Sequence, residues 1–346
     1  MKIRIIAFSR RGCELAQNVS KALAGHECRI YSKTAAETTG TEKVNGPVSV
    51  WTEESFRSSN AIVYIGATGI AVRYVAPFLK NKTVDPAVIC MDEKGSFVIP
   101  LLCGHIGGAN ALAKEISAGI GAIPVITTAT DINNKFSVDS YAVKNNLHIG
   151  SMSVANKISS LIVDDKRVGL VSDVPISERM PHELHLDGGE DIGIFISYGR
   201  SEGPFKKTLK LTPKCHILGI GCRRGTPKES IEAFVKNVLE KENISIKSIR
   251  AVASIDLKSN EEGLLKFSKQ IKADPVFFSS EELASLPDIG FTPSEMVKTV
   301  TGVDNVCERA AFAASNNGEL VIKKVSENGV TLAVVREPVY LDLMRN

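Results

Sequence analysis

The sequence has no apolar run approaching the ~18 residues that a membrane-spanning helix needs. Its opening stretch, Met1 to Phe8, is too short for a secretory h-region and leads to no small-residue cleavage site, so export is not expected. Strong charge of one sign is missing as well. The 42 basic and 39 acidic residues leave a net charge of +3 with no like-charged tail, which argues against a nucleic-acid stripe but suits a small anionic substrate. There is no internal repeat, no low-complexity segment, no C-x-x-C, no G-x-S-x-G elbow and no Walker A loop. His182-Glu183-Leu184-His185 misses the H-E-x-x-H zinc motif by one position. The seven cysteines are odd in number and scattered, which fits reduced, buried thiols rather than a disulfide framework. These absences lead us to expect a cytoplasmic chain with no membrane or nucleic-acid partner and no protein-bound metal.

What is present is an ordinary globular mix, 43% apolar and 23% charged, over 346 residues. That length suits two or three domains. Short β-branched runs alternate with helical patterns, the mark of an α/β architecture. Strands are expected at Lys2–Phe8, Cys28–Tyr31, Ala61–Ile65, Ala87–Met91, Phe97–Leu102 and Ile123–Thr127, with an exposed loop over residues 33–47. Several strands run into Gly-rich turns that open helices, and in open α/β sheets ligands bind beyond such strand ends.

The middle region is less regular. Helices are expected near Asp139–Leu147 and Val154–Leu161, strands at Val168–Val171, Ile192–Ile196 and Leu209–Leu211, and a polar loop over Pro181–Glu190. From Lys214 a further unit begins, with strands at His216–Ile220, Ile249–Ile255 and Val276–Phe278. Thr226-Pro227 with Glu229, Ser279 with Glu282, and Thr292-Pro293 with Glu295 read as capped helix starts. Val321–Val325 and Thr331–Val335, joined through Asn328-Gly329, read as a closing hairpin. The expected fold is a multi-domain α/β protein with open, mainly parallel sheets: an N-terminal domain over residues 1–130, a smaller middle domain over 131–213, and a C-terminal α/β domain over 214–346.

Three stretches could carry chemistry. In Leu101-Leu102-Cys103-Gly104-His105-Ile106-Gly107-Gly108-Ala109-Asn110, glycines and a histidine lie between a strand and a helix start. Free N–H groups there attract carboxylate or phosphate, and His105 titrates near neutral pH. A tight turn with a structural histidine is the plain alternative. Gly66-Ala67-Thr68-Gly69-Ile70-Ala71-Val72-Arg73 repeats the setting, with Arg73 placed to pair with a substrate carboxylate or simply solvated. The two strand ends are expected on one sheet edge, forming a shared cleft. Gly219-Ile220-Gly221-Cys222-Arg223-Arg224-Gly225 approaches a dinucleotide fingerprint but has one residue too many. Its arginines suit an anionic ligand equally well. Among acids near strand ends, Asp92, Glu93, Asp131 and Asp139 could orient His105 or activate water; each alone is more often a cap or a surface group.

These segments together resemble the CbiG family of cobalamin biosynthesis. The likeness runs from Gly66–Arg73 through Asp85-Pro86-Ala87-Val88, Met91–Gly95, Leu101–Leu112 and Pro124–Asp131. It continues through Gly219–Arg223, Ser254–Lys258, Val306-Cys307-Glu308 and Gly329-Val330-Thr331, and so covers essentially the whole chain. At Cys103 the family more often shows serine, which argues against an essential thiol.

The resemblance implies the cobalt-precorrin-5A hydrolase step, in which water opens a δ-lactone and a two-carbon fragment leaves as acetaldehyde. Cobalt arrives in the substrate, so no cofactor is expected. His105 is then expected as the base, with Glu93 or Asp139 as second choices, and the N–H groups near Gly107 and Gly108 as oxyanion donors. Substrate contacts are expected at Gly66, Thr68, Gly69, Arg73, Gly104, Gly107, Gly108, Asn110, Asp131, Gly221, Arg223, Arg224 and Lys258, with the carboxylates held by the Gly-rich helix starts, Arg73, Arg223, Arg224 and Lys258. Two rivals stand beside this reading: a nucleotide-dependent enzyme using the Gly219–Gly225 loop, and a non-catalytic corrinoid carrier. Homo-oligomer formation and transient contact with neighbouring pathway enzymes stay open.

Overall fold

Ala61–Ile65 is apolar on both of its alternating faces, which suits a strand covered from two sides. In the computed structural model all five of its residues are buried within a seven-stranded sheet. The structure describes residues 1–186, 189–287 and 289–344. They form two compact units, Met1–Ser140 and the chain from Tyr141 onward. Residues 131–140 thus fall in the first unit.

The first unit contains β1 (Lys2–Ala7), β2 (Glu27–Ser32), β3 (Glu42–Lys43), β4 (Ala61–Ile65), β5 (Ala87–Met91), β6 (Phe97–Leu102) and β7 (Ile123–Pro124). Their order across the sheet is β3-β2-β1-β4-β5-β6-β7. Alternation along each strand gives the sheet two apolar faces. Ile3, Ile5, Val63 and Ile89 pack with Val19 of helix Arg10–Ala22 and its C-cap Leu23, and with Leu112 and Ile116 of helix Ala109–Ile120. Ile6, Ile62, Tyr64 and Val88 pack with Trp51 of helix Val48–Ser58 and with Ala71 and Val75 of helix Thr68–Val75. Helix Val48–Ser58 was not anticipated. Two of its four buried positions are Thr52 and Ser55, whose hydroxyls donate to the Val48 and Trp51 carbonyls, so its apolar stripe is faint.

One pairing overturns the expected shared edge. β6 runs antiparallel to β5, with Leu102 opposite Val88 and Val98 opposite Met91. The cause is the short link. Gly95 N–H donates to the Asp92 carbonyl, and the Asp92 carboxylate accepts the Lys94 and Phe97 N–H groups, closing a hairpin. A parallel return would need about a dozen residues. β7 is parallel to β6. The carboxyl ends of β1, β4 and β5 therefore lie at one edge, and those of β6 and β7 at the other.

The second unit carries two five-stranded sheets. One contains β8 (Leu147–Ile149), β9 (Val168–Ser172), β10 (Leu184–His185), β11 (Ile192–Ile196) and β12 (Lys207–Pro213), in the order β10-β9-β11-β12-β8 with only β8 antiparallel. The stretch 181–190, expected as a loop, supplies β10, which pairs with Val168 and Gly169; Asp187 and Gly188 lie outside the described residues. The other sheet contains β13 (His216–Cys222), β14 (Ile249–Ile255), β15 (Asp274–Phe278), β16 (Glu319–Glu327) and β17 (Val330–Arg336), in the order β15-β14-β13-β17-β16. The last two form the expected hairpin, and Asn328 and Gly329 both have positive φ, as a primed turn requires.

The Ser279–Glu282 capping box is present. The other two expected caps are not. Thr226 donates to the Arg223 carbonyl and leaves Pro227 at the N-cap, while Thr292 donates to Glu308 and leaves Ser294 at the N-cap. The fold is the expected α/β class of mainly parallel open sheets. No described helix is long and apolar enough to cross a membrane.

Candidate active site

The loop after β6 is shaped by its own backbone. Cys103 adopts a positive φ of 57°, turning the chain out of the strand. The Cys103 carbonyl then accepts the Ala109 N–H at 3.1 Å and the Gly104 carbonyl accepts the Asn110 N–H at 2.9 Å. Gly107 sits so close to Cys103 that an added Cβ would lie 2.4 Å from the Cys103 Cβ, so a side chain there would force the loop open. The Gly108 N–H donates to the His105 carbonyl at 3.0 Å. It is thus spent within the loop, which corrects its expected part as an oxyanion donor. Gly107 N–H has no acceptor among the described residues.

This turn aims His105 at two carboxylates. Its Nε2–H donates to Asp131 Oδ2 at 2.8 Å and its Nδ1–H to Asp139 Oδ1 at 3.1 Å. Asp131 reaches this edge because β7 runs parallel to β6 and leads into the short helix Ala129–Ile132. Asp139 lies in the first turn of helix Val138–Lys144. Asn110 Nδ2 donates to Asp131 Oδ2 at 3.0 Å and to Thr128 Oγ1 at 2.9 Å. Ser137 Oγ donates to Asp139 Oδ1 at 2.7 Å. Lys114 and Lys82 complete the cluster, each 3.3 Å from the outer oxygen of Asp131 and of Asp139 respectively.

An imidazole whose two nitrogens both donate is an imidazolium. The electrostatics agree. Burial alone would lower the His105 pKa, but Asp139 and then Asp131 outweigh it and raise the value above the ordinary one. Burial would likewise raise the Asp139 carboxyl, yet hydrogen bonds from His105 and Ser137 hold it well below the carboxylate range. Asp131 is lowered against its own burial by His105 and Lys114. The His105 side chain is only 13% exposed, so these interactions act with weak solvent screening. Among the described residues no group of three or more His, Cys, Asp or Glu is arranged to hold a metal ion; the two aspartates lie on opposite sides of the ring and do not converge.

The other expected residues divide by place. Gly104, Gly107, Gly108, Asn110, Asp131 and Asp139 are gathered at His105. Gly66, Thr68, Gly69 and Arg73 lie past β4 at the opposite sheet edge, with Thr68, Gly69 and Arg73 exposed. Glu93 is at that edge too, accepting from Ser9 Oγ at 2.7 Å. The length of β5, about 3.3 Å per residue, keeps it out of reach of His105.

Gly221, Arg223, Arg224 and Lys258 belong to the second unit. Gly219 and Gly221 are interior residues of β13, not a phosphate loop. A Cβ on Gly219 would fall 1.7 Å from the Cys307 carbonyl oxygen, and one on Gly221 would fall 2.5 Å from Thr331 Oγ1. These glycines admit a packed helix and a neighbouring strand, which removes the basis for a dinucleotide fingerprint. Arg223 and Arg224 are exposed. Lys258 is paired with Glu261 at 3.0 Å, and Glu261 also accepts the Gly225 N–H.

Sequence reasoning missed Ser137, Thr128, Lys82 and Lys114. Lys114 had a signal, since it lies four residues after Asn110 on the same helix face. Ser137 stands two residues before an aspartate already singled out. Lys82 had none.

Residues 50–131 match the family model described as Cobalamin synthesis G N-terminal, residues 136–213 the Cobalamin biosynthesis central region, and residues 216–335 the Cobalamin synthesis G C-terminus. A protein of Salmonella typhimurium named cobalt-precorrin-5A hydrolase is 34% identical over 96% of this chain and 97% of its own length. One of Priestia megaterium with the same name is 29% identical over 96% and 94%. A solved cobalamin biosynthesis protein G homologue from Sulfolobus solfataricus covers 97% of both chains at 24% identity, with a TM-score of 0.41. Three family regions in unbroken order, with a relative at 34% identity along nearly the whole length, mean that the chain belongs to the CbiG family of cobalamin biosynthesis.

Proposed function

We propose that this protein is a cobalt-precorrin-5A hydrolase, opening the δ-lactone of the macrocycle and releasing acetaldehyde to give cobalt-precorrin-5B. The observation that carries the site assignment is His105 held between Asp131 and Asp139 on a glycine-shaped loop. Full-length relatives bearing that enzyme name support the reaction.

The geometry favours a different first role for His105 than that of a base. As an imidazolium it gives up its Nε2 proton, shared until then with the more exposed Asp131, to the lactone oxygen as water adds to the carbonyl and the ring C–O bond breaks. The products are a carboxylic acid and an alcohol, and the second proton of the attacking water passes to solvent. The neutral imidazole left behind is flanked by two carboxylates and is a strong base. It takes the alcohol proton back as the carbon–carbon bond breaks, acetaldehyde leaves, and the electron pair passes into the macrocycle. One proton is thus lent and recovered, and cobalt stays in the substrate throughout. Lys82 and Lys114 tip the cluster toward positive charge, which suits a substrate edged with carboxylates.

The test is acetaldehyde release from anaerobically prepared cobalt-precorrin-5A without added nucleotide, with the macrocycle mass followed in parallel. Stoichiometric acetaldehyde over many turnovers is expected. Tight macrocycle binding with no acetaldehyde would make the protein a carrier and overturn the reading.

A further inference from the structure

The His105 ring has a hydroxyl beside each nitrogen, and the two are bound differently. Ser137 Oγ lies 3.3 Å from Nδ1, but it donates to Asp139 Oδ1 at 2.7 Å, much the shorter contact. The same carboxylate oxygen accepts the Ser140 N–H at 3.1 Å, and Lys82 reaches the other oxygen. Asp139 is thus held from several sides, with its side chain only 7% exposed. A bare Nδ1 would face that fixed carboxylate lone pair to lone pair, so the Nδ1 proton stays.

The Nε2 side is looser. Asp131 is the more exposed of the two carboxylates, at 21%. Thr130 Oγ1 lies 3.3 Å from Nε2. Thr130 sits in the short helix Ala129–Ile132, where the Lys135 N–H donates to its carbonyl at 2.8 Å, and it is 5% exposed. Among the described residues its hydroxyl has no other polar partner. A hydroxyl carries one proton and two lone pairs and rotates about its C–O bond. Facing the imidazolium, it accepts a share of the Nε2–H that Asp131 takes at 2.8 Å. Facing a bare Nε2, it turns and donates.

We propose that Thr130 is a positioning residue, whose hydroxyl turns from acceptor to donor and so makes Nε2 the nitrogen that lends its proton and takes it back. No proton passes through Thr130; only the direction of its O–H changes. The role in lactone opening rests on the proposed function, while the choice of ring nitrogen does not. The sign of the effect follows from the partners. The imidazolium already has Asp131, whereas the bare Nε2 has no other donor among the described residues, so Thr130 favours the neutral ring. The charged groups around the ring are Asp139 and Asp131, with Lys82 and Lys114 on their outer oxygens, and a change at Thr130 leaves all four in place.

The test compares Thr130→Val, which keeps the shape and loses the hydroxyl, with Thr130→Ser, which keeps the hydroxyl. Nitrogen NMR of the isotope-labelled full chain, with His105→Gln to assign the ring, reads tautomer and titration without substrate. In the wild type the neutral ring should carry its proton on Nδ1. Thr130→Val should move the titration midpoint up by about one pH unit. In the turnover assay its kcat should fall about tenfold, with the pH profile of kcat displaced in the same direction. Thr130→Ser should restore both to within about twofold. A packing role would reverse that order, because serine leaves a methyl-sized gap and valine does not. An unchanged midpoint in Thr130→Val, or a wild-type neutral ring protonated on Nε2, would overturn the proposal. Absence of acetaldehyde from the wild type, with the ring titrating as expected, would remove the hydrolase reading and leave the assignment of the nitrogen standing.

Discussion

In the loop after β6, glycines clear the way for one histidine to meet two aspartates. In β13, Gly219 and Gly221 clear the way for the carbonyl of Cys307 and the hydroxyl of Thr331. Both stretches follow the same local recipe, close approach permitted by a missing Cβ. The difference is what approaches. At Gly104–Gly108 it is the chain's own turn, which sets an ionisable ring between two carboxylates; at Gly219 it is a packed helix, leaving no room for a ligand.

If that contrast is right, the largest effects fall on the first region's side chains. His105→Ala should lower turnover by about 10²- to 10⁴-fold, with substrate binding far less affected. Asp139→Asn should approach the same loss, because it removes the partner that most favours the imidazolium. Single-turnover acetaldehyde release checks both. Near wild-type rates in His105→Ala would make the loop's glycines purely structural, like Gly219 in β13.

The second region should answer in stability instead. Gly219→Ala places a methyl where the Cys307 oxygen sits, and helix Cys307–Ala313 has to move off the sheet. A loss of about 1–3 kcal/mol or more is expected from denaturant melts. Turnover per folded molecule should stay close to normal at a temperature where the variant is folded. Loss of turnover without loss of stability would reverse the contrast.

A smaller effect sharpens the first region's electrostatics. The His105 pKa is raised on folding, so its contribution to stability is complete below its ordinary value of about 6.5 and fades as pH rises through the raised one. The pKa values of Asp131 and Asp139 are lowered, so their contribution is present above about 3.8 and is lost as pH falls through the lowered values. The stability gap between wild type and His105→Gln should therefore be widest between about pH 4 and 6.5. Chemical denaturation across pH measures it. A gap that widens from pH 6 to 9 would mean a neutral ring.

Much of this was legible beforehand. Fully apolar runs such as Ala61–Ile65 and the Asn328-Gly329 hairpin are set by local chemistry. His105, Asp131 and Asp139 stood out as a titratable group on a glycine turn and acids near strand ends. What local pattern did not carry was direction. Whether β6 runs with or against β5 is decided by a five-residue link, and that choice moved Arg73 and Glu93 to the opposite edge from His105. Nor could glycine spacing tell a loop from a strand interior, since a close helix and a close phosphate both call for a missing Cβ. Lys82 came to Asp139 through tertiary packing alone.

The mildest test concerns the charges beyond β13. Lys258 has its ion pair with Glu261, and Glu261 also holds the Gly225 N–H, so the loop satisfies itself. Replacing Lys258 by Met removes one partner of a pair that keeps some contact with water and keeps the aliphatic stem. A cost of about 0–1 kcal/mol in stability is expected. Because the ammonium is already engaged, substrate KM should shift by no more than about twofold. A drop in kcat/KM of about tenfold or more, with stability held, would mean that substrate displaces Glu261 from Lys258. The two glycine stretches would then share one function, and the contrast drawn between them would fail.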